Sequence, residues 1–241
     1  MKVKTKFFGV LVVLPVLFSM YLFLTQVDSD ITREDTQAIG QVLGPLFDRS
    51  EYGNLTFPEE VDFIRQVQEA VLGNVPVNSG IPHGMPREPQ DLLARGKGLC
   101  FDRSRFIEKA LRLHGFETRH VAIYSTSETS SAIESLLTPQ VRSHAVTEVL
   151  TSLGWLVVDS NEPWISLDKR YQPLSIDQIS ELGSSGIEEV LMSQPETSIY
   201  AGGFTFVYGL YSRHGMFYPP YDRVPDINVS EFGQNISRLF D

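Results

Sequence analysis

A cysteine, a histidine and an aspartate occur in an order that suits nucleophilic catalysis by a thiol. Cys100 is the only cysteine among the 241 residues, and His144 and Asp159 follow it along the chain. A thiol attacks a carbonyl carbon when a histidine takes up its proton and a carboxylate orients that histidine. The three residues therefore predict acyl transfer, with Cys100 as nucleophile, His144 as general base and acid, and Asp159 as orienting carboxylate.

The sequence around Cys100 predicts a helix that begins at the cysteine itself. Residues 89–94 form a short helical segment that Gly96 and Gly98 interrupt. A thiol in the first turn of a helix lies at the positive end of the helix dipole, which favours the thiolate, and its backbone N–H can stabilise an oxyanion. The helix that follows has one apolar face and ends near Gly115, with the face formed by Phe106, Ile107, Ala110, Leu111 and Leu113.

The histidine and the aspartate are predicted to approach each other across a β-hairpin. Residues 144–150 and 155–159 have strand-like composition on either side of a turn at 151–154. Pairing the strands about the centre of that turn places Asp159 opposite Val146 and diagonal to His144. Diagonal neighbours on one face lie about 7–8 Å apart at Cα, within reach of an imidazole–carboxylate hydrogen bond. A shift of one residue would move one of them to the other face, so the prediction depends on the register.

Three further elements are predicted around this region. An apolar stripe from Pro58 to Gly73 has helical spacing. Residues 118–124 alternate as in a strand, and residues 132–137 form one helical turn within a polar connection. The core of the domain is therefore expected over about 58–164.

Four motifs stand out in this region: K-G-L-C-F-D-R-S-R at 97–105, G-F-E-T-R-H-V at 115–121, S-H-A-V-T-E-V at 143–149 and G-W-L-V-V-D-S at 154–160. They resemble the bacterial transglutaminase-like superfamily, whose members are papain-like thiol enzymes with a Cys-His-Asp triad. The resemblance spans about Pro58 to Trp164, and the order Cys100, His144, Asp159 is similar to the family's. It implies an α+β, transglutaminase-like (papain-like) fold in which the nucleophile helix packs on an antiparallel sheet, and it implies the same three catalytic roles.

Other positions match or depart from the family pattern. Asp102 and Arg119 match family positions of structural character. Family members usually have Trp two residues after the histidine, where this chain has Val146, so one wall of the cleft is expected to differ. Gln90 lies further from the cysteine than the glutamine that donates to the oxyanion in papain-like enzymes, so the second oxyanion donor stays unassigned. No acidic calcium loop and no ligand-like histidine spacing occurs, and the sequence predicts no metal and no cofactor.

The first 27 residues predict a membrane anchor. Phe7–Leu24 carries no charge and follows Lys2, Lys4 and Lys6. No small-residue cleavage site follows this run, which favours an uncleaved transmembrane helix over a signal peptide. The lysines place the N-terminus in the cytoplasm, so we expect a single-pass protein of a bacterial inner membrane with residues 28–241 on the periplasmic side.

Composition limits the partners and the number of domains. Twenty Lys and Arg against 30 Asp and Glu give a net charge of −10, which disfavours nucleic acid as a partner. A single cysteine excludes an internal disulfide. No linker divides residues 28–241, so we expect one exported domain with a C-terminal extension over 165–241.

That extension is rich in aromatic residues between 200 and 221. Two interpretations stay open, because aromatics line binding grooves and also favour strands that complete a core. The aromatic residues are Tyr200, Phe204, Phe206, Tyr208, Tyr211, Phe217, Tyr218 and Tyr221.

The functional prediction is a membrane-anchored, cysteine-dependent acyl-transfer enzyme that acts on amide bonds of proteins or peptides. Hydrolysis is favoured over cross-linking, since amine transfer needs a second site that excludes water and the sequence gives no sign of one. The alternative is a non-catalytic transglutaminase-like module that binds an envelope protein or peptide. A cell-wall peptidase of the other small papain-like class shares the Cys-then-His order but matches the flanking motifs less well.

Overall fold

The computed structural model describes most of the chain after residue 28. The described ranges are 29–48, 55–76, 85–129, 131–138, 140–211 and 227–237, together with residues 16, 17, 19, 20, 27, 53, 79 and 80. The predicted anchor Phe7–Leu24 therefore lies outside the described residues apart from four isolated positions, as do Phe217, Tyr218 and Tyr221. Within the described residues, no helix has both the length and the apolar character needed to cross a membrane.

Helices precede and flank a sheet of antiparallel strands. The described strands form one four-stranded sheet in the order β3-β2-β1-β4, with all pairs antiparallel. The elements are α1 Arg33–Leu43, followed by a 3-10 turn Gly44–Asp48, α2 Phe57–Asn74, α3 Pro89–Arg95, α4 Cys100–Leu113, β1 Glu117–Ser125, α5 Ala132–Leu137, β2 Ser143–Thr151, β3 Gly154–Asp159, α6 Ile176–Val190, β4 Phe204–Tyr208 and α7 Val229–Ser237.

Helix α4 begins at Cys100, as the sequence predicts. Asp102 caps the helix, because its carboxylate accepts the backbone N–H of Leu99 at 2.9 Å. Gly98 leaves little room for a side chain before the helix, since a Cβ there would lie 3.1 Å from the Cβ of Asp102 and 3.3 Å from Leu92. Gly115 ends the helix with φ of 89°. Asp102 thus has the structural role that its family position implies.

The hairpin β2–β3 forms in the predicted register. Val146 pairs with Asp159, and Thr151 pairs with Gly154 across a two-residue turn. Gly154 has φ of 130°, a conformation that favours glycine. His144 shares a strand face with Val146, because alternate residues of a strand point the same way. His144 and Asp159 therefore lie on the same face of the sheet.

Both faces of the sheet are covered. Helices α2 and α4 pack on one face together with Ile165 and Leu167, and Trp164 and residues between 176 and 200 pack on the other. On the α4 side the buried cluster includes Val149, Leu156, Val158, Ile64, Val67, Phe106, Ile107 and Leu111. On the other side it includes Val121, Ile123, Val146, Val157, Phe206, Trp164, Ile176, Ile179, Ile199 and Tyr200.

The aromatic segment contributes a strand of the central sheet. Strand β4 pairs with β1, and Phe206 and Tyr208 are buried in the cluster opposite α4. For Phe204–Tyr208 the structure therefore supports completion of the core and not the lining of a groove. The sheet extends beyond the predicted core of 58–164.

Candidate functional site

His144 and Asp159 form a buried hydrogen-bonded pair. Imidazole Nε2 lies 2.8 Å from the Oδ2 atom of Asp159. His144 is 2% exposed and Asp159 is fully buried. The diagonal pairing that the hairpin register predicts is therefore present, with the two side chains oriented toward each other.

Each oxygen of the Asp159 carboxylate has two donors. Oδ2 accepts from His144 and from the hydroxyl of Tyr200, the latter at 2.7 Å. Oδ1 accepts the backbone N–H groups of Asn161 at 2.7 Å and Glu162 at 3.2 Å. Burial by itself would raise the pKa of Asp159, but the charge of His144 and the hydrogen bonds lower it below its ordinary value. The carboxylate is therefore ionised at neutral pH.

The same pair keeps the imidazole protonated. Burial alone would lower the pKa of His144, but the charge and the hydrogen bond of Asp159, with contributions from Cys100, raise it to about 10. An imidazolium beside a thiol favours the thiolate. The environment of His144 thus suits a group that holds a proton and passes it to a leaving atom.

Cys100 meets His144 from the first turn of α4. Its half-buried side chain lies close enough to His144 to help raise the pKa of the imidazole. The first N–H groups of a helix have no carbonyl partner within the helix, so the backbone at Cys100 can donate to an oxyanion. The structure therefore brings together the three residues that the sequence singles out.

Two polar side chains border the imidazole and the thiol. The amide Nδ2 of Asn161 lies 3.4 Å from His144 Nδ1, and the Oδ1 atom of Asn161 accepts a hydrogen bond from the guanidinium of Arg103. Burial lowers the pKa of Arg103, and the charges of Cys100 and Asp159 act in the opposite direction. Arg103 adds positive charge near the thiol, and it orients the amide of Asn161 toward the imidazole.

Gln68 fixes the loop that carries Asp159. Its side-chain nitrogen lies 2.7 Å from the carbonyl oxygen of Asp159, 3.0 Å from that of Glu162 and 2.8 Å from that of Trp164. Gln68 is fully buried on α2. This contact joins the helix to the end of β3 and restricts the position of the aspartate.

Four residues at the site were not singled out from the sequence as site residues. The sequence could have indicated Gln68, because it is a polar residue beside the apolar stripe of α2. The structure shows that it is fully buried. Asn161 and Arg103 lie close in sequence to Asp159 and Cys100 but have no motif of their own. Tyr200 is far from Asp159 in sequence, and its aromatic neighbours give no indication of the contact.

Three other positions that the sequence singles out have no catalytic contact. Val146 is fully buried in the apolar cluster, so it forms no exposed wall of a cleft. Gln90 lines a groove between α1 and α3 together with Gln37 and Leu93. Arg119 is structural, as its family position implies, because its guanidinium pairs with Glu148 at 2.6 Å. In the part of the chain that the structure describes, no group of three or more His, Cys, Asp or Glu side chains could hold a metal ion.

Comparison with solved structures finds similar chains at low sequence identity. A candidate cysteine protease from Cytophaga hutchinsonii is 14% identical with a TM-score of 0.35, over 76% of this chain and 53% of that one. A candidate protease from Parabacteroides distasonis is 11% identical with a TM-score of 0.30, over 53% of this chain and 30% of that one. Rad4–Rad23 bound to a 6-4 photoproduct UV lesion is 11% identical with a TM-score of 0.36, over 88% of this chain and 49% of that one. This chain thus spans about half of the first and third structures and less of the second.

Comparison of sequences locates the family in the part of the chain that contains Cys100, His144 and Asp159. No curated protein matches the chain significantly. The model of the transglutaminase-like superfamily matches residues 53–160, which include α2, α4 and the hairpin β2–β3. With its α+β architecture and four-stranded antiparallel sheet, the chain carries a transglutaminase-like superfamily domain over residues 53–160.

Proposed function

We propose that this chain is a cysteine-dependent acyl-transfer enzyme that acts on amide bonds of proteins or peptides. The observation that carries the proposal is the buried hydrogen bond between His144 and Asp159, with Cys100 close enough to influence the pKa of the same imidazole. The nucleophile, the proton carrier and the orienting carboxylate of thiol catalysis are then Cys100, His144 and Asp159.

The first half of the reaction forms an acyl-thioester. The sulfur of Cys100 attacks the amide carbonyl carbon, and the electron pair of the C=O bond moves onto the oxygen. The backbone N–H at the start of α4 stabilises that oxyanion. When the C=O bond re-forms, the C–N bond breaks and His144 gives its proton to the leaving nitrogen. Asp159 stays ionised throughout and holds the imidazole in place.

The second half of the reaction releases the acyl group. Water attacks the thioester carbon while His144 takes its proton, the C–S bond breaks, and the thiolate of Cys100 leaves as a carboxylic acid forms. An amine in place of water would give a new amide. Hydrolysis is the favoured outcome, because amine transfer requires a second site that excludes water, and the half-buried thiol stays within reach of solvent.

The pH dependence of Cys100 alkylation tests the proposal. Since the chain has one cysteine, every alkylated molecule reports that position. We expect the full-length chain, in mild detergent, to react rapidly with iodoacetamide well below pH 7, because an imidazolium partner favours the thiolate. His144→Gln should slow the reaction at pH 6 by about a hundredfold, since an unassisted thiol is mostly protonated there.

His114→Gln is the matched control for that experiment. His114 is buried, but its ring nitrogens contact the carbonyl oxygens of Ala110 and Phe47 and not the triad. The control should keep the wild-type alkylation profile. Slow alkylation in all three proteins, rising only near pH 8.5, would contradict the enzyme and favour the non-catalytic binding module. If the wild-type thiol is reactive below pH 7, the next measurements are peptide release, which reports hydrolysis, and incorporation of a labelled amine, which reports amine transfer.

We also propose that Phe7–Leu24 anchors the enzyme in a bacterial inner membrane, with residues 28–241 on the periplasmic side. The uncharged run and the preceding lysines support this proposal. In a bacterial host the full chain should stay with the membrane after alkaline extraction, and added protease should digest it only after the outer membrane is opened. Removal of residues 1–27 should release the chain into the soluble fraction. Full extraction of the intact chain at alkaline pH would contradict the anchor.

A further inference from the structure

The hydroxyl of Tyr200 donates to the same carboxylate oxygen that binds His144. The Tyr200 oxygen lies 2.7 Å from Asp159 Oδ2, and His144 Nε2 lies 2.8 Å from it. Tyr200 is 1% exposed, so no water replaces this donor. Burial and the nearby charge of Asp159 raise the pKa of Tyr200 well above its ordinary value, and the hydroxyl therefore keeps its proton.

Packing against other rings fixes the direction of this hydroxyl. The Tyr200 ring lies 5.0 Å from the ring of Trp164, 6.0 Å from Phe204 and 6.2 Å from His144, measured between centroids. Contacts of this kind hold an aromatic side chain in one orientation without help from its hydroxyl. The loss of the hydroxyl alone should therefore leave the ring where it is.

The segment that leads to Tyr200 is fastened to the loop that follows Asp159. The carboxylate of Glu162 accepts the backbone N–H groups of Glu196 at 2.6 Å and Thr197 at 2.8 Å. The indole N–H of Trp164 donates to the carbonyl of Ser193 at 3.0 Å. The segment before Tyr200 and the loop after Asp159 thus form one hydrogen-bonded unit.

We propose that Tyr200 is a positioning residue for the His144–Asp159 pair, so that a segment beyond the transglutaminase-like match at 53–160 completes the site. The proposal rests on the proposed function. A hydrogen bond donated to a carboxylate favours its ionised form and restricts where its lone pairs point. Because the Tyr200 hydroxyl occupies one acceptor direction of Oδ2, the imidazole of His144 binds that oxygen along the other. Tyr200 acts on the imidazole through Asp159.

Tyr200→Phe tests this role in the full-length chain, with Tyr208→Phe as the matched control. Tyr208 is also buried and its hydroxyl also donates to a carboxylate, that of Asp177 at 2.6 Å. Two readouts are compared: the acid limb of the iodoacetamide profile of Cys100, and the low-field NMR resonance of the proton between His144 and Asp159. Melting temperatures verify that both variants fold.

In Tyr200→Phe we expect the pH at which Cys100 alkylation falls off on the acid side to rise by about one unit. Asp159 loses a donor that favours its ionised form, so it supports the charge of His144 less well, and His144 in turn favours the thiolate less. The low-field resonance should broaden or move upfield. Tyr208→Phe should change neither readout, although it loses a comparable hydrogen bond. An unchanged resonance in Tyr200→Phe, or the same change in both variants, would overturn the proposal. If the wild-type thiol is unreactive below pH 7, the proposed function fails, while the resonance still decides whether Tyr200 positions the pair.

Discussion

Asp159 and Glu231 are buried to a similar degree, yet their pKa values move in opposite directions. Asp159 is fully buried and Glu231 is 5% exposed. The pKa of Asp159 lies below its ordinary value, whereas the pKa of Glu231 is raised to about 7. Because loss of solvent raises the pKa of any carboxyl group, the difference must come from the neighbours.

Around Asp159 the neighbours favour the charge. One cation, His144, shares a hydrogen bond with it, and three further donors complete the carboxylate. No second carboxylate contacts it among its described hydrogen bonds. The site therefore contains an ionised aspartate and a protonated histidine, which is the charge state that thiol catalysis requires.

Around Glu231 a second carboxylate opposes the charge. Burial and the charge of Glu108 raise the pKa of Glu231, and they outweigh Arg112 and the backbone N–H of His120. The hydroxyl of Tyr211 lies 2.7 Å from both oxygens of Glu108 and 3.0 Å from both oxygens of Glu231. One hydroxyl has one proton, so it cannot donate to both groups. Near neutral pH this cluster gains or loses a proton, while Asp159 does not.

The largest expected effect comes from removing the charge of Asp159. Asp159→Asn keeps the size of the side chain, but it removes the largest contribution that raises the pKa of His144 against the effect of burial. We expect alkylation of Cys100 at pH 6 to fall by about a hundredfold or more, since each unit of pKa is a factor of ten. Asp177→Asn is the control, because Asp177 also accepts a tyrosine hydroxyl. Equal loss in both variants would show that the effect is not specific to Asp159.

The same variant should change how stability depends on pH. The pKa of His144 is raised from 6.5 to about 10. The stabilisation that protonated His144 gives the folded chain is therefore fully present below about pH 6.5 and is lost as the pH rises through 10. The free energy of unfolding of the wild type should therefore fall between pH 7 and 10 in urea titrations. Asp159→Asn should remove that fall. A fall of the same size in Asp159→Asn would mean that another group titrates there.

The contrast between the two clusters also explains what the sequence could predict. The positions of His144 and Asp159 relative to each other depend on the register of strands β2 and β3. A short turn sets that register, so neighbouring residues in the sequence are enough to predict it. The start of α4 at Cys100 is local as well, because Gly98 and the apolar stripe define it. These features follow from neighbouring residues, and the structure confirms them.

The contacts that sequence reasoning missed join distant parts of the chain. Tyr200 reaches Asp159 from beyond the family match, and Gln68 reaches the same loop from α2. Glu108 and Glu231 meet only because α7 packs beside β4 and α4. No periodicity or motif encodes such pairs, since they depend on how separate elements pack. The membrane anchor stays a prediction, as nearly all of Phe7–Leu24 lies outside the described residues.

Glu231→Gln should produce an effect of intermediate size, on stability and not on reactivity. The pKa of Glu231 is raised from 4.5 to about 7. The stabilisation that the protonated side chain gives the folded chain is therefore present below about pH 4.5 and is lost as the pH rises through 7. Gln carries no charge at any pH and keeps an acceptor for the backbone N–H of His120. At pH 8 the free energy of unfolding of the variant should exceed that of the wild type by about 1–3 kcal/mol, so the variant should unfold at a higher urea concentration.

The corresponding measurement at pH 4 is the control for Glu231→Gln. There the wild-type side chain is mostly protonated in the folded and the unfolded chain, so the two proteins should agree within about 0.5 kcal/mol. The alkylation profile of Cys100 should be unchanged at both pH values. A variant that is less stable at pH 8 would show that the pairing with Arg112 outweighs the repulsion from Glu108.

The smallest expected effect is that of Tyr211→Phe, which removes the hydroxyl between the two glutamates. At pH 8 this hydroxyl donates its one proton to one or the other carboxylate, and burial keeps the hydroxyl protonated because it raises the pKa of Tyr211 well above its ordinary value. We expect a loss of about 1–2 kcal/mol in urea unfolding at pH 8. At pH 5 the loss should be smaller, because protonated Glu231 can itself donate to Glu108 and replace the missing hydrogen bond. Equal losses at the two pH values would mean that the glutamates do not share a proton, and a slower reaction of Cys100 would mean that the two clusters are coupled.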